Sequence, residues 1–391
     1  MRALLFIATV LWALNIASAA EYHVSKKGSD SNDGSLSKPF LSIKQAVKVA
    51  FAGDTITVHS GTYREWIVPL RGGESDSKRI LYRAAPGETV ELKGSELING
   101  WTKLKNGVWK ASIPNAFFGT YNPFNDSISG DWFIRKDRIH HTGEVFMNNK
   151  PFYEMETLEK VFNPKINPEI KVKEGSDYTW YCETDSVTTT IWANFHTYNP
   201  NKEFVEITTR PTCIYPEMPG INYITIRGFH ISQAATQWAA PTAEQVGMIA
   251  THWNKGWIIE NNVISNSKCN GITLGKERGT GHNVWSNDAG NVNRDGNIHY
   301  IEVIFNVLRN HWDKEHVGSH IVRNNTIFNC GQTGICGSMG AVFSTIENNH
   351  IYNVWTNRLY AGWEIAGIKF HAPIDVTIRK NRIHDSGRGI W

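Results

Sequence analysis

Five segments of one shape recur through the second half of the chain, and they limit what it can fold into. They are Ile226–Ile231 (IRGFHI), Ile259–Ile264 (IENNVI), Val322–Ile327 (VRNNTI), Ile346–Ile351 (IENNHI) and Ile378–Ile383 (IRKNRI). Their starts lie 33, 63, 24 and 32 residues apart. A unit of roughly 20–30 residues with loop insertions fits that series, the longest gap holding two units or one long insertion. Each segment reads as two very short strands about a corner. Asn suits the corner because it tolerates the left-handed conformation and bonds its own backbone. Asn at equivalent corners of successive turns also stacks into side-chain ladders. The expected fold class is therefore all-β: a right-handed parallel β-helix whose inward face is Ile, Val and Phe. A β-propeller is the rival, but its blades need about 40 residues and tight hairpins.

The N-terminal stretch reads as the cap. A strand at 22–25 precedes a Gly/Asp/Ser loop. A helix over 42–51 then puts Ile43, Ala46, Val47 and Ala50 on one face, and GDTITV from Gly53 returns as a strand. A helix laid over the first coil covers an open solenoid end. Ile80 to Lys93 reads as a further coil. Between about 96 and 210 the repeat breaks into alternating segments at 108–113, 144–148, 178–181, 188–192 and 203–207, with a turn signal at Asn148-Asn149. This predicts an inserted antiparallel β-sandwich. The expected division is 1–19 signal peptide, 20–95 cap and first coils, 96–210 sandwich and 211–391 remaining coils.

Arg2, the apolar run Leu4–Leu14 and Ala17-Ser18-Ala19 have the form of a secretory signal, which predicts a secreted or periplasmic protein. The run is too short for a membrane span. A net charge of +3 with no basic block argues against nucleic acid. The five cysteines, Cys182, Cys213, Cys269, Cys330 and Cys336, match no zinc spacing. They read as buried thiols, although Cys330 and Cys336 are near enough in sequence to bridge. His140 and His141 lack a third ligand at a convincing spacing, so no metal is expected.

Several longer strings resemble the β-xylosidases of glycoside hydrolase family 120. They include YREW (63–66), NPFND and GDWF (122–133), HHTGEV (140–145), WAAPTAEQVG (238–247), GWIIENN (256–262), LGKE (274–277), GSHIVRNNTI (318–327) and WEIAGIKFHAPIDV (363–376). The resemblance implies a β-helix interrupted by a β-sandwich. It implies retaining release of xylose from the non-reducing end of xylo-oligosaccharides by two carboxylates roughly 5 Å apart, without a cofactor, and a homo-oligomer, a tetramer in the family. It also implies an Asp nucleophile after a Gly-x-Trp-Leu string and a Glu acid/base about one coil later. Gly389-Ile390-Trp391 matches the start of that string, so the Asp is expected just past Trp391 and no catalytic carboxylate is assigned within the chain. On this expectation the chain is the N-terminal part of a longer enzyme and is inactive by itself. Five residues are left as sugar-site candidates. Glu364 matches a pocket carboxylate, Trp363 stands where His is usual, and Trp132 matches an aromatic platform lent by the insertion. Lys369 and His371 alternate with Ile368 and Phe370, so they point outward on one face. Lys276-Glu277 is expected at the cleft rim. The competing readings are a β-helix polysaccharide lyase, which would need a Lys or Arg base and often a clustered-acid Ca²⁺ site, and a non-catalytic carbohydrate-binding solenoid.

Overall fold

The computed structural model describes residues 19–136, 138–170, 172–283 and 296–391. Nearly all of the expected signal peptide lies outside them. Among the described residues, parallel sheets of eight, seven and four strands form a parallel β-helix, and antiparallel-rich sheets of four and five strands form the inserted sandwich.

The coils stack in register, and the register follows the repeat. Ile226 pairs with Ile259, Ile259 with Val322, Val322 with Ile346 and Ile346 with Ile378. A second column joins Ile231, Ile264, Ile327, Ile351 and Ile383. A third joins Ile249, Ile272, Ile335 and Ile368. These side chains fill one continuous core. The 63-residue gap is a single coil with a long insertion, because Ile259 and Val322 sit in adjacent strands.

The corner divides its work between two residues. The first takes the left-handed conformation: Gly228, Asn261, Asn324, Asn348 and Lys380 all have φ between 55° and 83°. The second forms a buried amide ladder. Nδ2 of Asn262, Asn325 and Asn349 donates to Oδ1 of Asn325, Asn349 and Asn381 at 3.0–3.1 Å, while each also reaches a carbonyl one coil back. Every amide in the ladder thus finds partners that water cannot supply there.

Helix α1 (Ile43–Val49) covers the first coil with Ile43, Ala46 and Val47 buried. Ser42 caps it by accepting the Gln45 N–H, and the Glu65 carboxylate accepts the N–H groups of Ile43 and Lys44 at 3.1 and 3.0 Å. An acid at a helix start satisfies orphan donors and opposes the dipole.

The insertion leaves through the strand Ser95–Leu97 and returns through Val205–Thr208, and these two strands pair with each other. Asn148 and Asn149, with φ of 52° and 66°, make the two-residue turn between Met147 and Lys150. The sandwich has its own core, including Trp101, Trp109, Phe124, Trp180 and Phe195. One pairing, Tyr153–Glu154 with Thr179–Trp180, is parallel, a departure from the all-antiparallel expectation.

Charged groups bind the insertion to the solenoid. Glu206 of the sandwich accepts from Arg64 (2.7 Å), Lys93 (3.0 Å) and Gln233 (3.0 Å). Glu154 lies 3.6 Å from the Nζ of Lys268 and 2.7 Å from His141 Nδ1. Burial opposes the charge on Glu154, but Lys268, the His141 hydrogen bond and Arg138 overcome it and bring its pKa down to about 2. All five cysteines are buried free thiols, and Cys330 and Cys336 are not bridged.

Sequence patterning gave no sign of helix α3 (Gly296–Leu308), which belongs to the insertion between Ile259 and Val322. Val303 and Val307 pack inward on Trp253, Val317, Met339 and Val342. Ile298, Ile301, Phe305 and Leu308 face outward, exposed, on a stripe with helical spacing. No helix among the described residues is long and apolar enough to cross a membrane.

Candidate active site

The strand Ala366–His371 lies in the third sheet, with Ile335 opposite Ile368. Its alternation turns Ile368 to the core and Lys369 and His371 to the other face. The segment just before it does not run along the solenoid alone. Ala361–Gly362 pairs antiparallel with Phe133–Ile134 of the insertion, and the Trp363 N–H donates to the Trp132 carbonyl at 3.1 Å. Gly362 permits this approach, since a Cβ there would lie 2.3 Å from the Trp238 ring and 2.9 Å from the Trp132 carbonyl oxygen. The insertion therefore delivers Trp132 to the segment that carries Glu364.

Glu364 is 4% exposed. Its Oε2 lies 3.0 Å from Lys369 Nζ and 3.0 Å from His371 Nε2, and those two nitrogens are 2.5 Å apart. Burial opposes ionisation of Glu364. The His371 hydrogen bond and the charges of His371 and Lys369 outweigh it, so its pKa falls below the usual carboxylate value. Burial lowers the Lys369 pKa, and Glu364 opposes that shift. The result is a carboxylate held ionised in a dry place, with hydrogen-bonding capacity left for a ligand's hydroxyls.

Lys369 and His371 therefore share the outward face, where Lys369 is buried and His371 is partly exposed. Lys369 is 3% exposed and both side chains turn onto Glu364. Trp363 is 57% exposed. Trp132 is half-buried, packs beside Trp238, Tyr360 and Ile365, and holds a left-handed φ of 63°. Such a conformation is costly for a bulky residue and persists when its surroundings over-determine it. Asp131 next to it is fully buried. Its carboxylate accepts from the Thr242 hydroxyl and lies 3.0 Å from His299 Nδ1, while its carbonyl accepts from Trp238 Nε1 at 3.0 Å.

Helix α3 closes another side of the site. His299 holds Asp131 of the insertion, and the next residue, Tyr300, sets its ring edge on His371 with centroids 5.1 Å apart. Burial, with a further contribution from Glu364, raises the Tyr300 phenol to about 12, so it remains a proton donor at neutral pH. The Trp391 ring lies under Lys369 Nζ and the Arg388 guanidinium, each 4.0 Å from its centroid. Sequence reading missed Tyr300, His299 and Arg388, since no local pattern marks them.

Lys276 and Glu277 are buried, not set on an exposed rim. Lys276 is fully buried and donates to the carbonyls of Glu277 (2.6 Å) and Gly281 (2.7 Å), and Glu277 accepts from Thr280. His140 and His141 are engaged separately, with the Arg135 carbonyl at 2.9 Å and Glu154 at 2.7 Å. Among the described residues, the side chains close enough to share a metal are His311, Asp313 and His316 on an exposed loop.

Residues 98–207 match the family model described as glycoside hydrolase 120, insertion domain, and residues 26–68 match a family of unknown function, DUF1565. Over 95% of its length the chain superposes on XylC, solved in complex with xylose, at 49% identity and a TM-score of 0.92. It spans 59% of that protein's length. A second structure, described as a glycoside hydrolase, superposes with a TM-score of 0.58 at 13% identity, over 95% of this chain and 79% of that one, a likeness of fold. Shorter matches link the chain to the uncharacterized protein YwoF of Bacillus subtilis (36% identity over 77 residues, 20% of this chain and 16% of that protein) and to pectate lyase PEL9 of Emericella nidulans (40% over 81 residues, 20% of each). With the insertion-domain match and the near-complete superposition on XylC, the chain is similar to glycoside hydrolase 120 proteins and has a parallel β-helix fold.

Proposed function

We propose that the chain forms the sugar-binding part of a retaining exo-β-xylosidase that is secreted by way of residues 1–19. The observation that carries this reading is the Glu364 cluster. An ionised carboxylate, a lysine and a histidine converge next to a segment whose backbone is bonded to Trp132 of the insertion. A sugar offers alternating hydroxyls and an apolar ring face, which such a carboxylate and an aromatic plate match. The similarity to XylC, solved with xylose, supports a pentose as the sugar.

Retaining hydrolysis needs a nucleophile and an acid/base about 5 Å apart. Glu364 fills neither role in this reading. Its partners Lys369 and His371 keep it ionised, which suits it to accept hydrogen bonds from sugar hydroxyls. The resemblance implies an Asp two positions after Trp391. Ile368 pairs with Ile390, so Trp391 lies opposite Lys369, and a strand continued in this register would put the position two further on opposite His371. Neighbouring strands are about 4.8 Å apart. An Asp there would face the ligand that Glu364 holds, where a nucleophile must stand. The 391-residue polypeptide by itself then binds xylose and turns over nothing, because losing either catalytic carboxylate costs orders of magnitude in rate.

Two assays on the 391-residue chain test this. Titration with D-xylose should quench tryptophan fluorescence saturably, and Glu364→Gln should weaken binding at least tenfold. Release of p-nitrophenol from its β-xyloside should stay at the solvent rate. Hydrolysis well above that rate, or sugar binding indifferent to Glu364→Gln, would sink the reading. Appearance of an unsaturated, ultraviolet-absorbing product from a uronate polymer would favour a lyase instead.

A further inference from the structure

A cavity of about 170 Å³ lies in the seam between sandwich and solenoid. At ~30 Å³ per water it holds roughly six waters, the space of one small sugar and well short of a drug-sized pocket. Its wall is built from both domains. Glu144, Phe146 and Tyr153 come from the insertion. Asn266, Asn329 and Asn353 come from three successive coils. Val172 and Glu174, both exposed, edge its mouth.

Glu144 is the unusual group here. It is 6% exposed, and among the described residues none hydrogen-bonds to its carboxyl oxygens; its backbone is bonded to Thr208. A buried carboxyl left without partners is costly, and such groups need a ligand or water to satisfy them. Burial, opposed by Lys268 and reinforced by Glu154, raises its pKa to about 7, so it can donate as well as accept. The nearby lysine offers no escape, because Lys268 Nζ turns to the Gly143 carbonyl at 3.2 Å and to Glu154.

The three asparagines form a second amide ladder. Asn353 Nδ2 donates to Asn329 Oδ1 (3.4 Å), Asn329 Nδ2 to Asn266 Oδ1 (3.0 Å), and Asn266 Nδ2 to the Asn149 carbonyl (3.1 Å). Each amide nitrogen thereby uses one of its two hydrogens on the ladder and keeps the other. All three residues hold a left-handed φ of 52–57°, which fixes where the amides point. The cavity is thus lined by a carboxyl, a row of amides and the aromatic side chains of Phe146 and Tyr153.

Charge narrows the occupant. Among the described residues that line the cavity none is a lysine or arginine, and the buried Glu144 carboxyl disfavours an anion. The carboxyls are Glu144 within and Glu174 at the mouth, too few for a calcium site with several carboxylates. We propose that the Glu144 cavity is a second binding site, separate from the Glu364 cluster, for a neutral polyhydroxy ligand of monosaccharide size. It is independent of the proposed catalytic reading and would hold for a non-catalytic protein.

The test is the stoichiometry of radiolabelled D-xylose bound to the 391-residue chain, by equilibrium dialysis at saturating sugar. The chain should bind two equivalents. Glu144→Leu should remove one and leave the other sensitive to Glu364→Gln. Thr356→Trp, which narrows the cavity from the solenoid side without touching Glu144, should do the same and guards against misfolding of the first variant. One equivalent that is lost with Glu144→Leu and kept with Glu364→Gln would support this site and contradict the Glu364 reading. Stoichiometry unchanged in both Glu144→Leu and Thr356→Trp would overturn the proposal, whatever becomes of the Glu364 site.

Discussion

The solenoid and its inserted sandwich are held in different ways, and the contrast explains what each contributes. Coils of the solenoid join through repeated, in-register contacts: three apolar columns and a buried asparagine ladder. Each contact is modest, and each has a copy one coil away, so stability accumulates along the axis. Beside the short strand pairing of Ala361–Gly362 with Phe133–Ile134, the sandwich is tied to the solenoid by irregular, unrepeated contacts of buried charge: Glu206 with Arg64 and Lys93, Glu154 with Lys268, and Asp131 with His299. The loss of one such pair has no neighbour to soften it. Both candidate sugar sites lie where the two regions meet.

The contrast is broken most sharply at Glu206. Glu206→Ala strands Lys93 and Arg64 without their carboxylate, and breaking a buried pair on one side costs about 3–5 kcal/mol. Urea unfolding should show that loss, with the sandwich exposed to proteolysis before the coils.

Acid should have a comparable effect through Glu154. Its folded pKa is about 2 against an ordinary 4.5. Its contribution is therefore complete above pH 4.5 and disappears as pH falls toward 2, on the order of 3 kcal/mol at ~1.4 kcal/mol per unit. Glu154→Gln should lose less stability than the parent over that interval, and equal losses would count against the seam pair.

The ladder is predicted to be more forgiving. Asn325→Ala leaves the Ile259 carbonyl and the Asn262 N–H without partners, worth about 2 kcal/mol. Asn381→Ala, at a half-buried step, should cost about half as much. Equal costs would mean that burial does not set the ladder's strength. Of similar size is Ser42→Ala, which removes the α1 cap for about 1 kcal/mol, read as a shift in melting temperature.

The same contrast governs what the sequence discloses. The columns and the ladder were legible because each is written in a period of one coil: Ile259, Val322, Ile346 and Ile378 occupy the same place in the same short phrase. The Asn148-Asn149 turn was legible because it needs two left-handed residues. Glu206, Arg64 and Lys93 were not legible, since pairs 113 and 142 residues apart leave no local trace. Helix α3 was hidden because Ile298, Ile301, Phe305 and Leu308 add an exposed apolar stripe to the buried one, which blurs the amphipathic period. Glu364, Lys369 and His371 were singled out by resemblance and alternation, and the structure draws them together. Tyr300 enters the same cluster from a helix that no repeat announced. Burial of Lys276 also escaped the sequence, because a lysine that bonds backbone carbonyls reads like any surface lysine.

The central claim is that the insertion and the solenoid together make a pentose site at Glu364. The most direct test is a crystal of the 391-residue chain soaked with D-xylose. The account predicts sugar density with ring hydroxyls on the Glu364 carboxylate and a ring face against Trp132. Xylose ordered elsewhere, with Glu364, Lys369 and His371 still closed on one another and Trp132 untouched, would contradict it.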